Sequence, residues 1–155
     1  MSGRRGKILA LGFLPFLWLA AAEPAAASET TDGLCAAEQT ASAGSYPTSE
    51  ALLEAAGLAE RRLAEERTVS NRLEGALAAL EVPRGTAAAP PTGEALARYC
   101  TAAGEVMRLS VEGSQLQAQN YLLTALREAQ QNGLAQLTSQ AAYRLGLVSL
   151  QGPPV

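Results

Sequence analysis

Cys35 and Cys100 are the only cysteines in the chain, and their number and spacing suit one chemistry, an oxidative cross-link. No C-x-x-C motif places a resolving thiol beside an attacking one, so the pair reads as a structural staple rather than a redox centre. Closing a loop of about 65 residues would stabilise a fold by ~4 kcal/mol in the chain-entropy model. The remaining reactive inventory is marked by what it lacks. There is no histidine, and Lys7 is the only lysine. Ser-His-Asp and Cys-His nucleophiles, His-containing zinc sites and the Glu-x-x-His pairs of di-iron bundles are therefore excluded. Once Lys7 is removed with a leader, so are Ser-Lys catalysis and Schiff-base chemistry.

Carboxylates are what remain: Asp32 and scattered glutamates. Glu60, Glu65 and Glu66 lie among Arg61, Arg62 and Arg67, at the three- and four-residue steps of a solvated helix face supported by weak ion pairs. A carboxylate-pair hydrolase needs a cleft between its two acids, and a thin helical hairpin does not provide one. No catalytic, cofactor-binding or metal-binding residue is assigned. The expectation is a non-enzyme without a cofactor.

The compartment follows from the N-terminus. Arg4, Arg5 and Lys7 form a basic region, residues 8–22 an apolar run, and Ala25, Ala26 and Ala27 a small-residue cleavage site. The apolar run is shorter than the ~20 residues that cross a bilayer as a helix, and Pro15 interrupts it. Residues 1–27 therefore read as a cleaved export signal, a second cut being conceivable after Ala22. Gly6, Lys7 and Ile8 after the arginine pair favour the general route for unfolded chains over the twin-arginine one. The expected destination is a bacterial periplasm or the extracellular space. Cleavage removes Arg4, Arg5, Lys7 and Glu23, leaving nine basic and fourteen acidic side chains, net −5. That balance argues against nucleic acid and anionic membrane surfaces as partners, since both need clustered basic residues.

The mature chain reads as all-α: a small helical bundle built on a long antiparallel hairpin with a C-terminal helix. Residues 28–33 form a flexible leader, 34–151 a single domain and 152–155 a tail. Residues 34–43 suit a short helix starting near Asp32, whose carboxylate would cap it. The pattern predicts a long helix over 49–81, with Thr48 or Ser49 as N-cap and Pro83 blocking continuation. An exposed Pro/Gly/Ala connector spans 82–93. A second long helix covers 94–132, weakened at Gly104 and Gly113, and Asn132-Gly133 stops it. A third helix covers 134–150.

In an antiparallel hairpin, facing residue numbers sum to roughly 176 by matched helix rise. Leu80 then meets Leu96, and the seam carboxylate of Glu66 falls near Arg108, its candidate ion-pair partner. A straight helix from residue 49 would carry the chain too far for Cys35 to meet Cys100, so either residues 36–48 are almost wholly extended or, the favoured reading, the helix breaks near Gly57.

On a wheel of ~100° per residue, Leu137, Ala141, Leu145 and Val148 share one side of the last helix, and Tyr143, Leu147 and Leu150 the other. The second strip is the candidate face for another protein or a second copy of the chain. No family is recognised. Leu137-Thr138-Ser139-Gln140 misses the LTxxQ motif of the Spy-like periplasmic chaperones by one position, and Asp32-Gly33-Leu34 before Cys35 is not a lipobox. The expected role is a protein-binding scaffold or accessory subunit of an envelope assembly. The alternatives are a holdase-type chaperone or a minor helical component of a secretion or conjugation apparatus.

Ala25 and Ala27 occupy the −3 and −1 positions of an A-x-A site, so exported protein should begin at Ser28. Intact-mass measurement should show that species, and one retaining residues 8–22 would indicate an anchored protein instead.

Overall fold

The computed structural model describes residues 31–35, 46–65, 69–82, 85, 87–110 and 114–151. Residues 1–27, assigned to the export signal, and Glu66 lie outside the described residues. The chain is all-α: α1 at residues 31–35, α2 Ser49–Ala64, α3 Val69–Ala79, α4 Gly93–Leu109, α5 Gln115–Gln131 and α6 Ala135–Leu150. From α2 onward, consecutive helices pack against each other and alternate in direction, the short-loop solution for amphipathic helices. Among the described residues the only β pairing is an isolated antiparallel bridge, Tyr46 with Ala87. It ties the start of α2 to the connector after α3.

Both long helices of the sequence reading are pairs. The 49–81 pattern leaves the helix at Glu65, whose backbone is extended (φ −64°, ψ 132°), and re-enters it at Val69. Thr68, Val69 and Ser70 are branched or hydroxyl-bearing residues of low helix propensity, which favours an interruption here. The 94–132 pattern breaks likewise at Ser110 (ψ 135°). Ser114 then opens α5 by accepting a hydrogen bond from the Gln117 amide. Ser114 and Gln117 stand at the spacing of a capping box.

These breaks correct the expected hinge. Gly57 sits inside an unbroken α2, and a Cβ there would meet only the Arg61 guanidinium, at 3.7 Å. With the first helix halved, α2 is only ~24 Å long at 1.5 Å per residue. The distance that seemed to demand a bend at Gly57 therefore never arises. Cys35 and Cys100 are joined in a disulfide with Cα atoms 5.5 Å apart. The expected hairpin register survives at the end of α3, where the Tyr99 hydroxyl donates to the Leu80 carbonyl at 2.6 Å. This lies within one turn of the anticipated Leu80–Leu96 contact. The expected helix stop is in place: Gly133 has φ +66°, its amide bonds Gln130 O and the Leu134 amide bonds Ala129 O, a Schellman cap.

Helix α4 is the axis. It contacts α2, α3, α5 and α6. Ten of its residues are buried, and Glu94 alone is exposed. A helix so surrounded must be narrow, and Ala95, Ala97, Ala102, Ala103 and Gly104 make it so. Gly104 is the tightest point: a Cβ there would lie 2.6 Å from Leu122 Cγ and 3.4 Å from the Ala118 carbonyl oxygen of α5.

On intrinsic propensity alone, Gly104→Ala should stabilise α4 by about 1 kcal/mol. The α4–α5 contact reverses the sign, because overpacking a closed core costs ~1–3 kcal/mol. Urea unfolding should show Gly104→Ala destabilised. A stabilised variant would mean that α4 and α5 are not packed this closely.

Candidate functional site

The sequence reading singled out Tyr143, Leu147 and Leu150, and α6 sets them on its outer side. The Schellman turn at Gly133 reverses the chain so that α6 runs back along α5. Ala141 and Val148 are the only buried residues of α6. Val148 packs with Ala118 and Leu122 of α5, with Leu145 and Met107 against the same cluster. The inner strip is therefore consumed by α5 and α4. On the other side Tyr143 is 68 % and Leu150 84 % exposed, while Leu147 is half-buried. The three positions are on one helix face but do not contribute equally: Tyr143 and Leu150 are open, and Leu147 is partly covered.

This outer face carries no charge. Arg144 is the only ionisable side chain that α6 contributes besides the Tyr143 phenol, and it turns inward, its Nε lying 3.3 Å from Glu105 Oε2. An open, uncharged helix face with an aromatic ring at its centre is cheap to desolvate and suits a protein partner. The pattern did not single out Leu116 and Leu123 of α5, which are also exposed. Their positions on the α5 wheel, away from the Ala118–Tyr121–Leu122–Ala125 face, would have revealed them.

The other expected pair is not brought together within the described residues. Arg108 donates from Nε and a terminal nitrogen to Glu105, at 3.0 and 2.6 Å, in its own helix. This fork is a charge-assisted, bidentate contact, and the Glu105 hydrogen bond holds the Arg108 guanidinium above its ordinary pKa. Glu66, the anticipated partner, is outside the described residues.

A polar cluster that the spacing did not indicate fastens the N-terminal turn. The leader was expected to be free to residue 33, yet Thr31 and Asp32 are both held. The Thr31 hydroxyl lies 3.0 Å from the Tyr99 hydroxyl, whose proton goes to Leu80 O, so Thr31 is the donor. Asp32 was expected to cap its own helix. Instead it accepts from the Tyr121 hydroxyl and from Gln117 Nε2 at 2.8 Å. Thr124 Oγ1 donates to Cys35 O at 2.9 Å, beside the disulfide. Together these bonds dock α1 onto α4 and α5.

Burial pushes the Tyr99 phenol up to about 12, with Thr31 pulling slightly the other way. Burial first, then the hydrogen bond and charge of Asp32, raises Tyr121 as well. Both phenols are held neutral, as donors that position the chain. Among the described residues no three His, Cys, Asp or Glu side chains gather in a group that could hold a metal ion. The chain matches no family model, no curated protein and no solved structure.

The raised Tyr99 pKa links stability to alkaline pH. A phenol that ionises near 10 when unfolded and near 12 when folded stabilises the native state fully below pH 10. That contribution is lost as pH rises towards 12, by ~3 kcal/mol in all. Urea unfolding between pH 9 and pH 11.5 should show stability falling with pH, and Tyr99→Phe should flatten the slope. Equal slopes in the two proteins would contradict the assignment.

Proposed function

We propose that this chain is a non-catalytic exported helical protein that binds another protein through the outer face of α6, as a scaffold or accessory subunit of an envelope assembly. The observation that carries the reading is the exposure of Tyr143 and Leu150 on a helix whose one charged residue faces inward. A peripheral helix needs one apolar stripe to pack, and α6 has a second whose Tyr143 and Leu150 stand uncovered among the described residues. The Cys35–Cys100 disulfide suits an oxidising compartment, in keeping with the N-terminal export pattern. No helix among the described residues is long and apolar enough to cross a membrane. The absence of histidine and of any lysine after residue 7 removes the commonest catalytic groups.

A holdase reading draws on one further observation, that Leu77, Leu116 and Leu123 are exposed away from α6. Scattered apolar contacts would serve many unfolded clients, whereas one strip serves one partner.

The two readings separate in one experiment. A photoreactive residue at position 143, in exported protein, should crosslink one defined protein. Its purified form should bind with a Kd weakened at least tenfold by Tyr143→Ser with Leu150→Ser. The double variant should keep its helical circular dichroism and lose at most ~1 kcal/mol of stability, as surface changes do. Crosslinks spread over many clients, with substoichiometric suppression of their aggregation, would favour the holdase. A large fall in melting temperature would place the strip in the core and overturn both.

A further inference from the structure

The charged residues of α4 define a stripe. Glu94, Arg98, Glu105 and Arg108 recur at helical spacing along one side, and Thr101 lies on the same line. Where α4 is enclosed, this stripe cannot face water freely, and α2, α3 and α6 straddle it without closing over it. Between them is a cavity of about 560 Å³, within the range of small-molecule sites. Its floor includes Thr101 and Glu105 of α4, and its polar walls are Arg72 of α3 with Gln140 and Arg144 of α6. Leu63, Ala102 and Leu109 give it an apolar side.

The charges within it are unevenly matched. Glu60 is held by Arg98 at 3.0 Å, and Glu105 by Arg108 at 2.6 Å. Glu105 is shared with Arg144, whose Nε lies 3.3 Å from its second oxygen, so every charged side chain lining the cavity except Arg72 has a partner of opposite sign. The Arg72 Nε is buried without any hydrogen-bond partner, and the residue forms no ion pair among the described residues. A buried guanidinium donor left unpaired costs free energy comparable to a lost hydrogen bond to a charged group. An orphaned guanidinium donor in the wall of a cavity calls for an anion. Glu60 and Glu105 in the walls disfavour a multiply charged one.

The geometry points to a second site, independent of the α6 outer face: the cavity between α2, α3, α4 and α6 binds a small organic monocarboxylate. Its carboxylate meets Arg72 and Arg144, as planar guanidinium groups favour. Gln140 supplies a neutral donor, and the apolar body of the ligand lies against Leu63, Ala102 and Leu109.

Octanoate is a suitable probe, with octan-1-ol as its uncharged counterpart, added to the mature disulfide-bonded protein and followed by amide chemical shifts. Octanoate should give saturable shifts at Thr101, Ala102 and Gln140. Octan-1-ol should bind at least tenfold more weakly, and Arg72→Gln should weaken octanoate at least tenfold while the melting temperature of the free protein is kept. Should Arg72→Gln fail to fold, Arg144→Gln is read in the same way. The site is refuted by the absence of saturable shifts, by equal binding of the alcohol, or by unchanged octanoate affinity in the variant. Shifts confined to Tyr143 and Leu150 would refute it too, placing the probe on the protein-binding face.

Discussion

The structure depends on how closely four helices can approach α4. A central helix ordinarily buries large apolar side chains on every side. This one buries Leu96, Tyr99 and Val106 but sets Ala95, Ala97, Ala102, Ala103 and Gly104 between them, which lets its neighbours come near. Without a side chain at Gly104, Leu122 of α5 seats directly against the α4 backbone. Small residues bring less apolar area per contact, so the core needs reinforcement elsewhere. The disulfide at Cys100 supplies it in the middle of α4, and the Tyr99–Thr31 and Tyr121–Asp32 bonds hold α1 on either side. Much of the polar chemistry of the chain is thus devoted to holding its N-terminal turn in place.

The sequence conveyed the helical class, the staple and the last helix because their signals are local or unique. Two cysteines admit one intrachain pairing. Thr48 caps α2 by accepting from the Ala51 amide, and Asn132-Gly133 ends α5 with the one backbone conformation that favours glycine. The two breaks were harder to see. The apolar pattern carries its phase across residues 65–69 and 110–114, so periodicity alone reads two long helices. Ser114-x-x-Gln117 was the available sign of a restart, and it is a short one. Gly57 and Gly104 show why glycine is ambiguous in a sequence. Gly57 looked like a hinge and lies inside a regular helix, whereas Gly104 looked like a weak point and is a contact.

The direction of α2 illustrates the larger difficulty. Breaking at Glu65 turns the chain back, so that α2 runs alongside α4 rather than opposite it. The Glu60–Arg98 pair records this at 3.0 Å. The consequence is a polar stripe of α4 flanked by α2 and α6, and with it a cavity holding an unpartnered guanidinium that no linear motif announces. Arg72 and Arg144 are 72 positions apart in the sequence and line one cavity only because α3 and α6 both pack against α4. Tyr143, by contrast, was legible because its face is a property of one helix.

Native-state hydrogen exchange of the mature, disulfide-bonded protein tests most directly the claim that α4 is the axis and α6 the peripheral, one-sided helix. Amides of Tyr99 to Val106 should exchange only through global unfolding, and those of α6 through an opening of clearly lower free energy. If α6 proves as protected as α4 in the monomer, its outer face is not free, and both the architecture and the partner face argued from it fall.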